Sequence, residues 1–325
     1  MDIQAQLAAH PTEPSIRYAA NLQLYDRDPH SPEMAALQQE IRASDRVQTL
    51  LSEMENGLIY QRHPYSKFDG AHWIMALLAD LHYPPGDQNL IPLREHVYTF
   101  FFREDPPGWK HVRRIFFIQG RTRACASIES NALFALLRLG LADSRSEQLA
   151  ELLLGWQWPD GGWNCDRRPH ASHSSFHESL IPIRALSLYG RLSGDPRFTV
   201  AVERAVEVFL NRGLFRRQSN NQVIHPQFVL LHYPRYWHYD LLGGLLAMKE
   251  AGVIADPRCQ EALDLLESKR LPDGGFPLEN KYDRVTGLGT GSRSMVAWGG
   301  TGRRKMNPWV TLDALTVLRA AGRIN

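Results

Sequence analysis

The densest set of reactive side chains in the 325-residue sequence is the run WNCDRRPHASHSSFHE. It places Cys165, Asp166, His170, His173, His177 and Glu178 within fourteen residues. Thiols, imidazoles and carboxylates are the groups that ligate metals or move protons near neutral pH. If a helix has begun by His173, then His173 and His177 at i,i+4 share a face and could grip one metal ion. Cys165 or Asp166 would then supply a further ligand. If instead Ser174 or Ser175 caps that helix, His177 and Glu178 form a proton-handling pair. Two cofactor states stay open on this reading, none at all or a single zinc ion.

Glu129, Glu178 and Asp240 each stand near the start of an apolar, helix-like segment. Carboxylates gathered in an aromatic, partly dry cavity repel one another and resist ionisation, which creates a general acid. His177, Glu178, Asp240 and Asp166 are therefore the catalytic candidates, whereas Glu129 reads as a helix cap or as a partner for an arginine such as Arg123, Arg235 or Arg293. Trp163, Trp237, Tyr239 and Trp309, with His173, are the candidates for a substrate wall, and Trp73 and Trp298 are expected near the same end. Ring faces stabilise cations, so such a wall suits an isoprenoid or polycyclic substrate and would suit a sugar as well. The late segment GLGTGSRSMVAWGGTGRRK is either a mobile flap or a phosphate cradle with Arg293, Arg303, Arg304 and Lys305. His225, His232 and His238 are too scattered to assign.

The elements that must position these groups are helices. Apolar residues recur at helical spacing and are followed by Gly, Pro or Asp, while strand signals are scarce. Six leucine-rich segments begin near Ser15, Gly70, Ser127, Ser174, Arg235 and Asn307. Their period of roughly 50 to 70 residues suits a helical hairpin with a variable loop. Between them lie segments apolar on one face only, among them PEMAALQQEIRAS, SEQLAELLLGWQ and RFTVAVERAVEVFLNRG. About six inner and six outer helices are expected to close into an all-α, α/α toroid occupying residues 1–325 as a single domain. Links from inner to outer helices are short and rich in Asp, Pro and Gly. Links from outer to inner helices are long, and long loops on a rigid scaffold are where chemistry is mounted.

Two of those long links share a pattern, GWQWPDGGWNCD around Gln157–Trp163 and KRLPDGGFPLEN around Pro272–Phe276. This resembles the repeat of squalene and oxidosqualene cyclases, related class II terpene cyclases and the β subunits of protein prenyltransferases. The first copy matches at Gln157, Asp160 and Trp163, and the second has lost the Gln. The resemblance implies the toroid and an enzyme that cyclises or isomerises a hydrophobic, isoprenoid-like substrate by acid initiation. The Asp-x-Asp-Asp motif of the proton-initiated cyclases is absent, and Ser175-Phe176-His177-Glu178 stands at its place. The prenyltransferase zinc triad is absent too, with Ser172-His173-Ser174 nearest to it. A carbohydrate-active toroid enzyme with paired carboxylates and aromatic platforms, or a non-catalytic scaffold of this fold, are the competing expectations.

Composition narrows the partners. Thirty-seven basic against thirty-five acidic residues give a formal charge of +2, with no like-charge run, so a nucleic-acid partner is not expected. Cys125, Cys165 and Cys259 are odd in number and far apart, which argues for a reducing compartment rather than a disulfide framework. No stretch reaches about 18 consecutive apolar residues and no signal-like segment opens the chain, so a cytoplasmic, non-spanning protein is expected. A lipid substrate would need an access route, which leaves peripheral membrane contact open.

Overall fold

The computed structural model describes residues 2–102, 115–284 and 292–325. Part of the first long link (103–114) and the start of the Gly-rich segment (287–291) lie outside the described residues. The chain is predominantly helical. Its helices are α1 (Ile3–Ala8), α2 (Pro14–Leu24), α3 (Pro32–Ala43), α4 (Asp45–Glu55), α5 (Ala71–Asp80), α6 (Ile91–Phe102), α7 (Ala126–Arg138), α8 (Ser144–Trp156), α9 (Phe176–Ser193), α10 (Pro196–Leu210), α11 (Leu241–Glu250), α12 (Gln260–Glu267) and α13 (Pro308–Ala320). A short antiparallel hairpin, β1 (Phe116–Ile118) and β2 (Arg121–Arg123), precedes α7. Among the described residues no helix is long and apolar enough to cross a membrane.

Local chemistry starts most of these helices. Ser31, Ser44, Ser175, Asp195 and Asn307 each accept a backbone N–H of the first turn, and Pro32, Pro196 and Pro308 stand where no intrahelical donor is needed. Two burial patterns result. In α5 every residue except Asp80 is buried, whereas α10 buries Phe198, Ala201, Val202, Ala205 and Phe209 along one face. The all-round apolar helices α2, α13, α11, α9, α7 and α5 pack in that order, each on the next, and Tyr18 of α2 meets His82 just beyond α5 at 5.1 Å. Each also packs on one of the remaining helices: α3 on α2, α6 on α5, α8 on α7, α10 on α9, α12 on α11 and α1 on α13. A cavity of about 120 Å³ receives wall residues from all six of the helices in that series, among them Ala19, Asp80, Arg138, Arg184, Glu250 and Asp313.

Helix α4 and the hairpin have no counterpart in the expected pattern. Helix α11, expected as the fifth leucine-rich helix, also starts later than its segment suggests, at Leu241 rather than near Arg235. Arg235 instead turns its guanidinium to Asp313, and the Asp240 carboxylate caps α11 by accepting Gly243 N at 2.7 Å.

The Pro-Asp-Gly-Gly-aromatic links close on one plan. Trp163 N donates to Ser179 Oγ (2.9 Å) and Trp163 O accepts Ser175 N (2.8 Å). In the other copy Phe276 N donates to Thr311 Oγ1 (2.9 Å) and Phe276 O accepts Asn307 N (2.9 Å). Each aromatic residue is thus pinned to the cap and fourth helical residue of the following inner helix. Gln157 and Asp160 complete the first copy. Gln157 Nε2 donates to Gly161 O and Ala201 O, both at 2.7 Å, and Asp160 accepts Ser174 N and Oγ at 2.7 and 2.6 Å. Gly161 has φ +100°, and a Cβ there would lie 2.1 Å from Arg204 O, so only glycine fits the turn.

Candidate functional site

Pinning the 157–163 link fixes the course of the residues after it. The chain leaves Trp163, carries Cys165 past the start of α7, and returns to begin α9 at Phe176 with Ser175 as its cap. Because α9 starts there, His173 precedes the helix and is exposed, so the expected i,i+4 grip of His173 and His177 does not form. His170 is exposed as well. Asp166 is held by the Arg168 side chain and backbone, and that pairing draws its carboxyl down to about 2. Such a group stays ionised at neutral pH and does not donate a proton.

Cys165 meets different company. The donor atoms of Cys125, Cys165 and Glu178 all lie within 4.8 Å of one another. Cys165 Sγ is 3.4 Å from Glu178 Oε1. The other carboxylate oxygen, Oε2, accepts Ser127 N at 3.0 Å and Ser127 Oγ at 2.8 Å. Glu178 therefore completes the N-terminus of α7, where Cys125 occupies the cap position but its side chain makes no capping bond. Pro182 contributes from one turn on: it has no N–H, so the carbonyl of Glu178 receives no helical bond from that position. Glu178 is buried, Cys165 is half-buried and Cys125 is exposed, so the cluster opens on the Cys125 side.

Charge and burial set the protonation of this corner. Burial raises the Glu178 carboxyl above its ordinary value, opposed by the two Ser127 bonds and by the Cys165 thiol. The Cys165 thiol is itself pushed up, first by hydrogen bonding with Cys125, then by burial and the Glu178 charge. Lys67 is lowered by burial, while Cys125 and Glu178 act on it in the opposite sense. Its ammonium lies 4.7 Å above the Trp237 ring and 6.0 Å from that of Tyr65. Tyr65 is pushed up by burial and by Glu178. The backbone of Lys67 ties it to the last long loop: Lys67 O accepts Ser292 N at 2.6 Å and Arg293 N at 3.2 Å.

His177, Trp237 and His238 form the adjoining wall. His177 Nδ1 accepts Tyr239 N at 2.8 Å, which leaves Nε2 to carry the proton of the neutral ring. Burial takes His177 down to about 4 and His238 to about 3. Trp237 stacks on His238 at 4.1 Å and meets His177 at 5.6 Å.

Most of the remaining sequence candidates have their side chains engaged elsewhere. Glu129, Glu178 and Asp240 do not occupy matching helix positions: Asp240 is a cap, Glu178 the third helical residue and Glu129 the fourth. Asp240 is fully buried and holds His232 N (2.8 Å) as well as Gly243 N, so its oxygens are engaged in shaping the 231–240 loop. Tyr239 is buried among Phe176, Phe209 and Phe228. Trp163 is a buried wedge whose Nε1 donates to Leu153 O (2.9 Å). Trp309 stacks on Tyr233 beside the central cavity. Arg293 is exposed, 3.6 Å from Glu53 and 3.7 Å from Asp69. Arg303 reaches Glu279 at 3.8 Å. Cys125, Ser127, Lys67 and Tyr65 do not stand out in the sequence. No pattern links Cys125 to Cys165, because the contact is made only by packing the start of α7 against α9. No family model matches the chain, and no curated protein matches it.

Proposed function

We propose that this chain is a metal-dependent enzyme of the α/α-toroid type, in which Cys125, Cys165 and Glu178 hold one zinc ion at the rim of the helical ring. The observation that carries the reading is the gathering of the two thiols and the Glu178 carboxylate within 4.8 Å, with Cys165 Sγ at Oε1 while Oε2 is tied to Ser127. Zinc bonds of about 2.3 Å to sulfur and 2.0–2.2 Å to oxygen, at a tetrahedral angle, separate the donor atoms by about 3.5 Å. The 3.4 Å between Cys165 Sγ and Glu178 Oε1 fits that edge. Ser127 orients the carboxylate as an outer partner of a ligand should. Three protein ligands with an open side are the pattern of catalytic rather than structural zinc, and such an ion supplies a Lewis acid or an activated nucleophile.

The chain's own groups would bind and orient the substrate. Tyr65 and Trp237 offer ring faces, Lys67 a positive charge between them, and His177 Nε2 a hydrogen-bond donor. The ring itself is supported by the serial packing of the six inner helices and their common cavity. The aromatic wall and the Pro-Asp-Gly-Gly repeats support an isoprenoid-like substrate. That substrate sits at the rim, since a cavity of about 120 Å³ lined by Arg and Asp side chains has no room or affinity for a polyisoprene. A second reading, acid initiation by Glu178 without a metal, is favoured by the upward shift of its carboxyl.

Metal analysis of protein reconstituted with zinc under reducing conditions separates the two. One equivalent of zinc, lost in Cys125→Ser and Cys165→Ser variants that keep their helical content, is expected. Trace zinc only, with all thiols titratable, would overturn the metal reading and leave the acid.

A further inference from the structure

The geometry points to a second ligand site, in the central cavity: a receptor for a small oxyanion of phosphate or carboxylate size. Four cations line this cavity, Arg138, Arg184, Arg235 and Lys249, against three carboxylates, Asp80, Glu250 and Asp313. The carboxylates are taken by two of the cations. Arg184 pairs with Glu250 at 2.7 Å and reaches Asp80 at 3.8 Å, and Arg235 pairs with Asp313.

Among the described residues, the acceptors of Arg138 and Lys249 are neutral. The Arg138 guanidinium donates to His82 Nδ1 at 2.8 Å, and Lys249 Nζ donates to Gln23 Oε1 at 2.6 Å. Burial depresses both groups; Glu250 acts against this on both, with Asp80 for Arg138 and Asp313 for Lys249, while Arg184 on both and Arg138 on Lys249 act with it to a smaller extent. Enclosed charges are normally paired. The carbonyls ending α7 and α11 offset these charges by only about half a unit each. Water can solvate the remainder but cannot neutralise it.

Size restricts the occupant. About 120 Å³ is less than the roughly 150 Å³ cavity that admits benzene, so a handful of heavy atoms fill it. An entry route exists, because Gln23, Lys249 and Thr316 also line a surface depression of about 410 Å³. The Lys249–Gln23 contact stands where the two spaces meet.

Inorganic phosphate is the probe, with ionic strength held by sodium HEPES, whose anion is too bulky for the cavity. Calorimetric titration of the full chain should show one saturable site. Phosphate at low millimolar concentration should raise the melting temperature by about 2 °C or more. Lys249→Gln, which retains a polar partner for Gln23, should weaken that binding at least tenfold and leave the zinc content unchanged. Arg138→Gln should do the same if Lys249→Gln does not fold. Absence of a saturable heat, or unchanged phosphate affinity in a folded variant, would overturn the site.

Discussion

Glu178 uses its two oxygens differently, and substitutions can separate the two uses. Glu178→Gln keeps a carbonyl oxygen for Ser127 but offers the thiols an amide that does not ligate. Zinc affinity should fall at least about tenfold, while the urea midpoint barely moves. Glu178→Ala removes the acceptor as well and orphans Ser127 N and Oγ at the buried start of α7. It should cost a further 1–3 kcal/mol or so, read as the difference between the two unfolding curves. Equal midpoints for the two variants would show that the Ser127 contact contributes nothing to stability. The residue types of this corner were legible and their partnership was not. Cys165, His177 and Glu178 stand out by local density, but Cys125 comes from another helical hairpin. The His173–His177 spacing misled because Asp160 captures Ser174 and Ser175 starts the helix two residues beyond His173.

At the scale of elements, the link after α8 is where backbone shape is most constrained. Gly161→Ala would place a methyl carbon against Arg204 O at a left-handed φ, and a loss of about 3 kcal/mol is expected. Gly155 is exposed inside α8 with nothing near its missing side chain. Gly155→Ala should therefore stabilise the protein by about 0.5–1 kcal/mol. Thermal or urea unfolding of the two variants checks both signs, and equal effects would show that the tight turn imposes no special constraint. The helix starts expected near Gly70, Ser174 and Asn307 lie within a residue of the observed caps Gly70, Ser175 and Asn307, because caps and period are local signals. The late start of α11 was not, since it depends on Arg235 reaching Asp313 on α13. The hairpin before α7 carries no alternating apolar signal over its three-residue strands, which explains why periodicity does not reveal it.

For the whole molecule, buried neutral histidines dominate the acid side of stability. His72 is buried and held down to about 3, His238 to about 3 and His177 to about 4, all from 6.5 and chiefly by burial. A lowered folded pKa contributes stability that is present above 6.5 and lost as pH falls through these values. Glu178 runs the other way, since its raised carboxyl contributes below 4.5 and that contribution is lost as pH rises. Metal-free protein should therefore show a lower urea midpoint at about pH 5 than at about pH 7. His72→Leu should flatten that dependence. A wild-type midpoint that stays level over this interval would mean that these imidazoles are solvated in the folded state.

The two pinned links invite a direct comparison of the residue that each inner helix presents. Counting three residues on from the cap gives Glu178 after Ser175 and Val310 after Asn307. The same socket thus holds an acid in one repeat and a plain aliphatic in its sibling. Since the sibling stands without an acid, the repeat geometry alone did not demand one at 178; there the carboxylate serves the start of the neighbouring α7 and meets the Cys165 thiol.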